Sequence, residues 1–225
     1  MNKPAALIFD AYGTLLDVFA VETRLEAMFP GKGRAISQLW RVRHVDYTRM
    51  TTLCGSWRPF WDLAGDGLDY ACEAEGASLS ASQRAELLAF YERLPAHAEV
   101  PAALAALRAQ GFRLGVLTNA EAPMVTKALA AADIRGHFEH VLSVERVRKF
   151  KTSPEAYQLG PDAFGAPAGE LVFVSSNGWD AVAAQAFGYR AYWINRYGAP
   201  RERFGARPEG EGRTMADLVG FLEGK

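Results

Sequence analysis

Apolar positions along the chain follow two different rhythms. Short apolar runs at residues 6–9, 112–117, 140–144, 171–174 and 190–194 have the length of buried strands. Between and after the later runs, apolar residues recur at three and four. That spacing predicts helices at 100–110, 122–132, 154–164 and 179–187, and a closing amphipathic helix at 215–222. Ser153-Pro154 reads as an N-cap followed by proline at the first helical position. Strands that alternate with helices predict an α/β fold, a Rossmann-like parallel sheet core wrapped by helices. Its crossover connections are expected to be right-handed.

The alternation fails at residues 17–95, which read as helices only, at 18–29, 34–52, 57–75 and 80–94. Ser80 is an expected N-cap, and Gly31, Gly33, Gly55 and Gly76 punctuate the segment. The expectation is an all-helical cap subdomain, 17–95, inserted into a core made of 1–16 and 96–225. The polar stretch 201–213 is expected to be a surface loop, and no internal repeat is visible.

Composition narrows the classes of function. The 225 residues are 49% hydrophobic with a formal net charge of −1, ordinary for a soluble globular protein. The charge gives no basic footprint for nucleic acid. No 18-residue apolar run predicts a membrane span. The first apolar run leads into a turn without a small-residue cleavage site, so no signal peptide is expected. Cys54 and Cys72 are too few for a disulfide framework and suit a reduced, cytoplasmic protein.

Open parallel sheets bind ligands at the carboxyl ends of their strands. That rule selects four segments: Asp10-Ala11-Tyr12-Gly13-Thr14, Thr118-Asn119, the loop carrying Lys151, and Ser175-Ser176-Asn177-Gly178-Trp179-Asp180. Singly, each has a plain structural reading. Asp10 could cap a turn, Lys151 sits in the basic RVRKFK, and Asp180 suits the first turn of a helix. Together, each after a strand, they predict one edge carrying two carboxylates, a lysine and a hydroxyl.

In order, these segments resemble the four motifs of the haloacid dehalogenase superfamily. DAYGTL at 10–15 and SSNGWD at 175–180 are similar to its L-2-haloacid dehalogenase branch. Phosphatases of the superfamily carry a second aspartate two residues after the first, as acid for the leaving alcohol, and hold Mg²⁺ on acidic groups. Here Tyr12, Ser175 and Asn177 stand at such places. A departing halide needs no proton and a singly charged carboxylate substrate needs no divalent cation, so no metal or other cofactor is expected.

The resemblance implies hydrolysis of short L-2-haloalkanoic acids to D-2-hydroxy acids through an ester on Asp10. Asp180 would orient or deprotonate water, and Lys151 would keep both carboxylates charged. Thr14, Ser175 and Asn177 would position water and ester, and Thr118 would hold the substrate carboxylate. Arg41 and Asn119 would receive the halide, although Arg43 and Arg49 lie near Arg41 in sequence. Tyr12, Phe60 and Trp179 would wall the alkyl group, with core packing an alternative for Phe60. Tyr157 would support the lysine or the catalytic carboxylates. The branch usually has Ser-Asn-Gly where this chain has Thr118-Asn119-Ala120, and proline where it has Thr152.

The expected partners are a haloacid and its halide, with no nucleic acid and no membrane, and a second copy in a homodimer. Two alternatives stay open: a magnesium-dependent phosphatase of the same superfamily, and a catalytically silent small-anion-binding homologue. His137 and His140 read as surface histidines, and His44 and His97 receive no role.

Overall fold

Leu7, Ile8 and Phe9 are fully buried, because neighbours cover both faces of the strand that carries them. In the computed structural model, which describes residues 3–223, that strand is β1 (Ala6–Phe9). The others are β2 (Leu114–Thr118), β3 (His140–Ser143), β4 (Leu171–Ser175), β5 (Arg190–Ile194) and β6 (Gly210–Gly212). They form a parallel sheet in the order β3-β2-β1-β4-β5-β6. Phe9 pairs with Val116 on one side and Val174 on the other, so the chain emerges from β1 at the centre of the sheet.

The helices are α1 (Glu22–Met28), α2 (Gly33–Leu53), α3 (Phe60–Ala74), α4 (Ala81–Tyr91), α5 (Val100–Ala109), α6 (Ala122–Ala131), α7 (Pro154–Phe164), α8 (Gly178–Phe187) and α9 (Met215–Leu222). The α/β architecture is as expected, and the differences in detail have local causes. The pattern at 18–29 splits, because the Asp17 carboxylate accepts the Phe19 N–H at 2.9 Å and starts a short 3₁₀ turn, Val18–Val21, before α1. α3 begins at Phe60, three residues later than predicted. Pro59 before it is extended (φ −54°, ψ 143°), which keeps the preceding residues out of the helix.

The segment 201–213 is not loop throughout, since β6 pairs with β5. A Cβ on Gly210 would lie 2.5 Å from the Tyr192 ring, so glycine is what lets this edge strand approach.

Helices α1 to α4 lie between β1 and α5 in the chain. One apolar cluster runs without a break from the sheet (Leu7, Phe9, Val116, Val174) into these helices (Trp40, Phe60, Leu63, Leu87). Trp40 satisfies its indole N–H on Ala64 O at 2.8 Å, tying α2 to α3. The outgoing and returning chains touch. Leu16 forms an antiparallel bridge with Ala96, Asp17 N–H donates to Pro95 O at 2.9 Å, and His97 N–H donates to Leu15 O at 3.0 Å.

Candidate active site

Asp10 follows β1 directly, and its backbone N–H donates to Val174 O at 2.9 Å, so the sheet's own ladder orients it. Gly13, at φ +95°, then turns the chain through a conformation that L side chains rarely adopt. The turn brings Thr14 back to Asp10. Thr14 Oγ1 donates to Asp10 Oδ2 at 2.8 Å and accepts the Ser176 N–H at 2.8 Å. Asn177, after β4, donates from Nδ2 to the same Oδ2 at 2.9 Å.

Lys151 closes the network. Its ammonium lies 3.0 Å from Asp10 Oδ1 and 3.0 Å from Asp180 Oδ2, with its side chain 1% exposed. Burial disfavours the charge on Lys151, but the two carboxylates outweigh burial and hold it above the ordinary lysine value. Asp180, in the first turn of α8, is fully buried. Burial pushes its carboxyl up, Lys151 pulls it down and Asp10 pushes it up again, and the net direction is up. Tyr157 O–H donates to Asp180 Oδ1 at 2.7 Å, while burial and then Asp180 push its phenol well up.

The structure therefore brings Asp10, Thr14, Lys151, Tyr157, Asn177 and Asp180 into one hydrogen-bonded group. Ser175 and Thr118 are buried at strand ends beside it, but their hydroxyls serve local backbone. Ser175 Oγ accepts the Asn177 N–H at 3.1 Å, and Thr118 Oγ1 accepts the Ala120 N–H at 3.2 Å. Asn119 Oδ1 accepts the Lys151 N–H at 3.0 Å, which couples the loop after β2 to the lysine.

The helical segment supplies the other side. Arg41 of α2 donates from Nη2 to Tyr12 O at 3.1 Å and to Asn177 Oδ1 at 3.2 Å. Arg43 and Arg49 make other contacts: their guanidiniums lie over Tyr70 at 4.6 Å and over Trp179 at 4.5 Å. Tyr12 stacks on Tyr91 at 6.0 Å and lies 5.8 Å from Phe60, with both partners buried. Trp179 is half-buried and meets α2 through Arg49. Burial pushes the Tyr12 phenol far above its ordinary value, so it is no acid at neutral pH.

Sequence reasoning missed two members of this side. Tyr91 ends α4 and packs on both Tyr12 and Trp40. His44 is fully buried, its ring 4.0 Å from that of Phe60, with Nε2 donating to Phe60 O at 3.0 Å. Burial, then Arg41, push His44 down to about 3. A signal existed for His44, because it lies three residues after Arg41 and so shares its helix face. Nothing local marks Tyr91.

Among the described residues, no group of three or more His, Cys, Asp or Glu side chains is placed to hold a metal ion. Between the two site carboxylates the cation is the lysine itself. The arrangement offers a buried carboxylate with hydrogen-bond donors on both oxygens, and a second carboxylate across a shared ammonium.

Comparison with known proteins gives an independent view. A family model described as haloacid dehalogenase-like hydrolase matches residues 4–188. A haloacetate dehalogenase, H-2, of Moraxella sp. (strain B) is 39% identical over 222 residues, covering 99% of each chain. The crystal structure of an L-2-haloacid dehalogenase superposes with a TM-score of 0.95 at 46% identity, covering 97% of this chain and 98% of that one. The L-2-haloacid dehalogenase of Xanthobacter autotrophicus, with chloropropionic acid covalently bound, superposes with a TM-score of 0.91 at 28% identity, covering 98% and 99%.

Proposed function

The chain belongs to the haloacid dehalogenase-like hydrolases, in their L-2-haloacid dehalogenase branch, and from that premise we propose that it hydrolyses short L-2-haloalkanoic acids to D-2-hydroxy acids without a metal. One observation carries the reading. Tyr12 stands two residues after Asp10, where a phosphatase of this superfamily carries its acid, and its buried phenol, pushed far up, cannot protonate a leaving alcohol.

In the first step an oxygen of Asp10 displaces halide from C2 with inversion, forming an aspartyl ester. Oδ1 accepts only from Lys151, whereas Oδ2 accepts from Thr14 and Asn177, so Oδ1 keeps the lone pair for attack. Oδ2 then becomes the ester carbonyl oxygen. Thr14 and Asn177 stabilise the negative charge it gains when water attacks the ester carbon. Asp180 is the base for that water. Its carboxyl, already pushed up by burial, is a better proton acceptor than an ordinary aspartate. Tyr157 and Lys151 hold it in place.

Arg41 and Asn119 receive the halide, whose negative charge grows in the first transition state. The substrate carboxylate binds at the Thr118 O–H, whose oxygen accepts the Ala120 N–H but can still donate its proton, and at the Asn119 N–H. Ser175 supports this set by fixing the Asn177 backbone rather than by touching water or ester. Tyr12, Phe60 and Trp179 enclose the alkyl group. That a 39% identical relative is named a haloacetate dehalogenase supports including substrates as small as a haloacetate.

The same reading includes a cap formed by residues 17–95 and a cytoplasmic homodimer. The cap reading is supported by the unbroken helical run between β1 and α5. The dimer reading is supported by exposed Val42, Met50 and Leu53 on α2, and size-exclusion chromatography with light scattering checks it. Among the described residues no helix is long and apolar enough to cross a membrane.

The test is halide release from racemic 2-chloropropionate in excess EDTA, with product chirality resolved. The expected outcome is release of no more than half the halide, with D-lactate as the only hydroxy acid. Mg²⁺-dependent hydrolysis of phosphate esters, with no halide release, would replace this reading by the phosphatase.

A further inference from the structure

The turn that carries Asp10 and Thr14 is also held from behind, by groups that none of the steps above uses. Two consecutive carbonyls of this turn accept hydrogen bonds from side chains. His97 donates from Nε2 to Gly13 O at 3.2 Å, and Arg196 donates from Nη2 to Thr14 O at 2.8 Å. His97 lies where the chain returns from the helical segment, and Arg196 lies two residues beyond β5.

Arg196 is pinned in turn. Its Nη1 forms an ion pair with Glu99, the residue just before α5, and its side chain is 9% exposed against 30% for Glu99. Arg196 and the hydrogen bond of Glu99 with its own backbone pull the Glu99 carboxyl down, against burial, so it stays charged. Burial, and then Arg196, push His97 down, so its ring is neutral and donates through Nε2–H.

A partly buried ion pair adds little net stability, because desolvation and screening offset its attraction. Arg196 even leaves its Nε buried without a partner. What the pair does provide is location. It fixes the Thr14 carbonyl against the end of β5 and the start of α5. The Thr14 hydroxyl, in the same residue, is the 2.8 Å donor to Asp10.

We propose that Arg196, pinned by Glu99 and assisted by His97, is the positioning residue that holds the Asp10–Thr14 turn at reacting distance. This rests on the dehalogenase reading for its kinetic half only. Displacement at carbon is sensitive to placement, and an error near 1 Å costs about 100-fold.

The experiment compares Arg196→Gln, Glu99→Gln and the double variant with the wild type. One readout is steady-state halide release, and the other is amide hydrogen exchange of residues 10–17, which needs no substrate. Arg196→Gln is expected to lower kcat about 10- to 100-fold with KM within about twofold. Glu99→Gln, which keeps the packing, is expected to lower it about 3- to 10-fold. The double variant should be no worse than Arg196→Gln alone, since both remove one contact chain.

Exchange of the Thr14, Leu15 and Leu16 amides should rise at least about tenfold while the β4 amides stay protected. The proposal is overturned if the turn's exchange is unchanged, if β4 loosens equally, or if exchange rises while kcat holds. If Arg196→Gln does not fold, Glu99→Gln decides by the same readouts. A wild type that releases no halide would sink the dehalogenase reading, and the exchange data would still decide whether the turn is held.

Discussion

On the core side of the site, both oxygens of Asp10 and both of Asp180 accept hydrogen bonds from side chains. On the helical side, His44 Nδ1 and Ser37 Oγ are buried with no partner, and the contacts are mainly ring against ring. The core side is over-determined. Each charged group is held by residues from two or three segments, so its geometry has one solution. The helical side is held by shape, which tolerates exchange of similar volumes. Under the proposed reading the covalent steps fall to the first region, while the second supplies most of the pocket wall and, through Arg41, one contact for the halide.

The sharpest way to break this contrast is to compare Asp10→Asn with Phe60→Leu. The first should abolish halide release, by roughly 10⁴-fold or more. The second should change kcat/KM by less than about tenfold while shifting preference between 2-chloropropionate and chloroacetate. Equal losses would end the division of labour.

Stability offers a second comparison. Lys151→Met leaves Asp10 and Asp180 buried without their shared cation, and should cost about 3–5 kcal/mol in urea denaturation. Phe60→Leu should cost roughly 1 kcal/mol.

The pH dependence sharpens the contrast from the helical side. His44 binds its proton only near pH 3 when folded, against an ordinary value of 6.5. Between those limits the unfolded chain holds more protons, so stability falls as pH falls from about 6.5 towards 3, by roughly 3–5 kcal/mol in all. His44→Gln should flatten that slope in chemical denaturation across this range. An unchanged slope would mean that the buried ring is not its source.

On the core side, a smaller effect than that of Lys151→Met is expected from Tyr157→Phe. Asp180 loses one donor, worth about 1.5–3 kcal/mol as a hydrogen bond to a charged group. Hydrolysis of the ester should slow about tenfold or more, and the aspartyl ester should accumulate in quenched-flow mass spectra. The Asp180 carboxyl should also titrate higher, moving the acid limb of the kcat profile up.

The sequence makes the two sides unequally legible. Asp10, Lys151 and Asp180 each follow an apolar run, and a parallel sheet brings such positions to one edge whatever the loops do. Thr14 and Asn177 sit within a few residues of those strands and come with them. The hydroxyls of Thr118 and Ser175 are located correctly by the same logic, yet both turn to the backbone two residues on. That choice depends on loop dihedrals that the sequence pattern does not encode. Helical spacing did not separate Arg41 from Arg43 and Arg49, and only resemblance favoured Arg41. Arg196 and Thr14 are 182 residues apart, so their contact exists only once β5 is in the sheet. Tyr91 looks like any apolar helix position until it stacks on Tyr12.

The bridge between Leu16 and Ala96 has a consequence for how this molecule can change over generations. The excursion that carries α1 to α4 leaves and rejoins the sheet at a single point. Like a side loop on a railway, it can change shape away from that junction without moving the main line, provided Arg41 keeps its place against Tyr12 and Asn177. New pocket shapes can therefore be tried above Asp10 while the reacting groups below it stay as they are, and lineages can part in what they accept before they part in what they do.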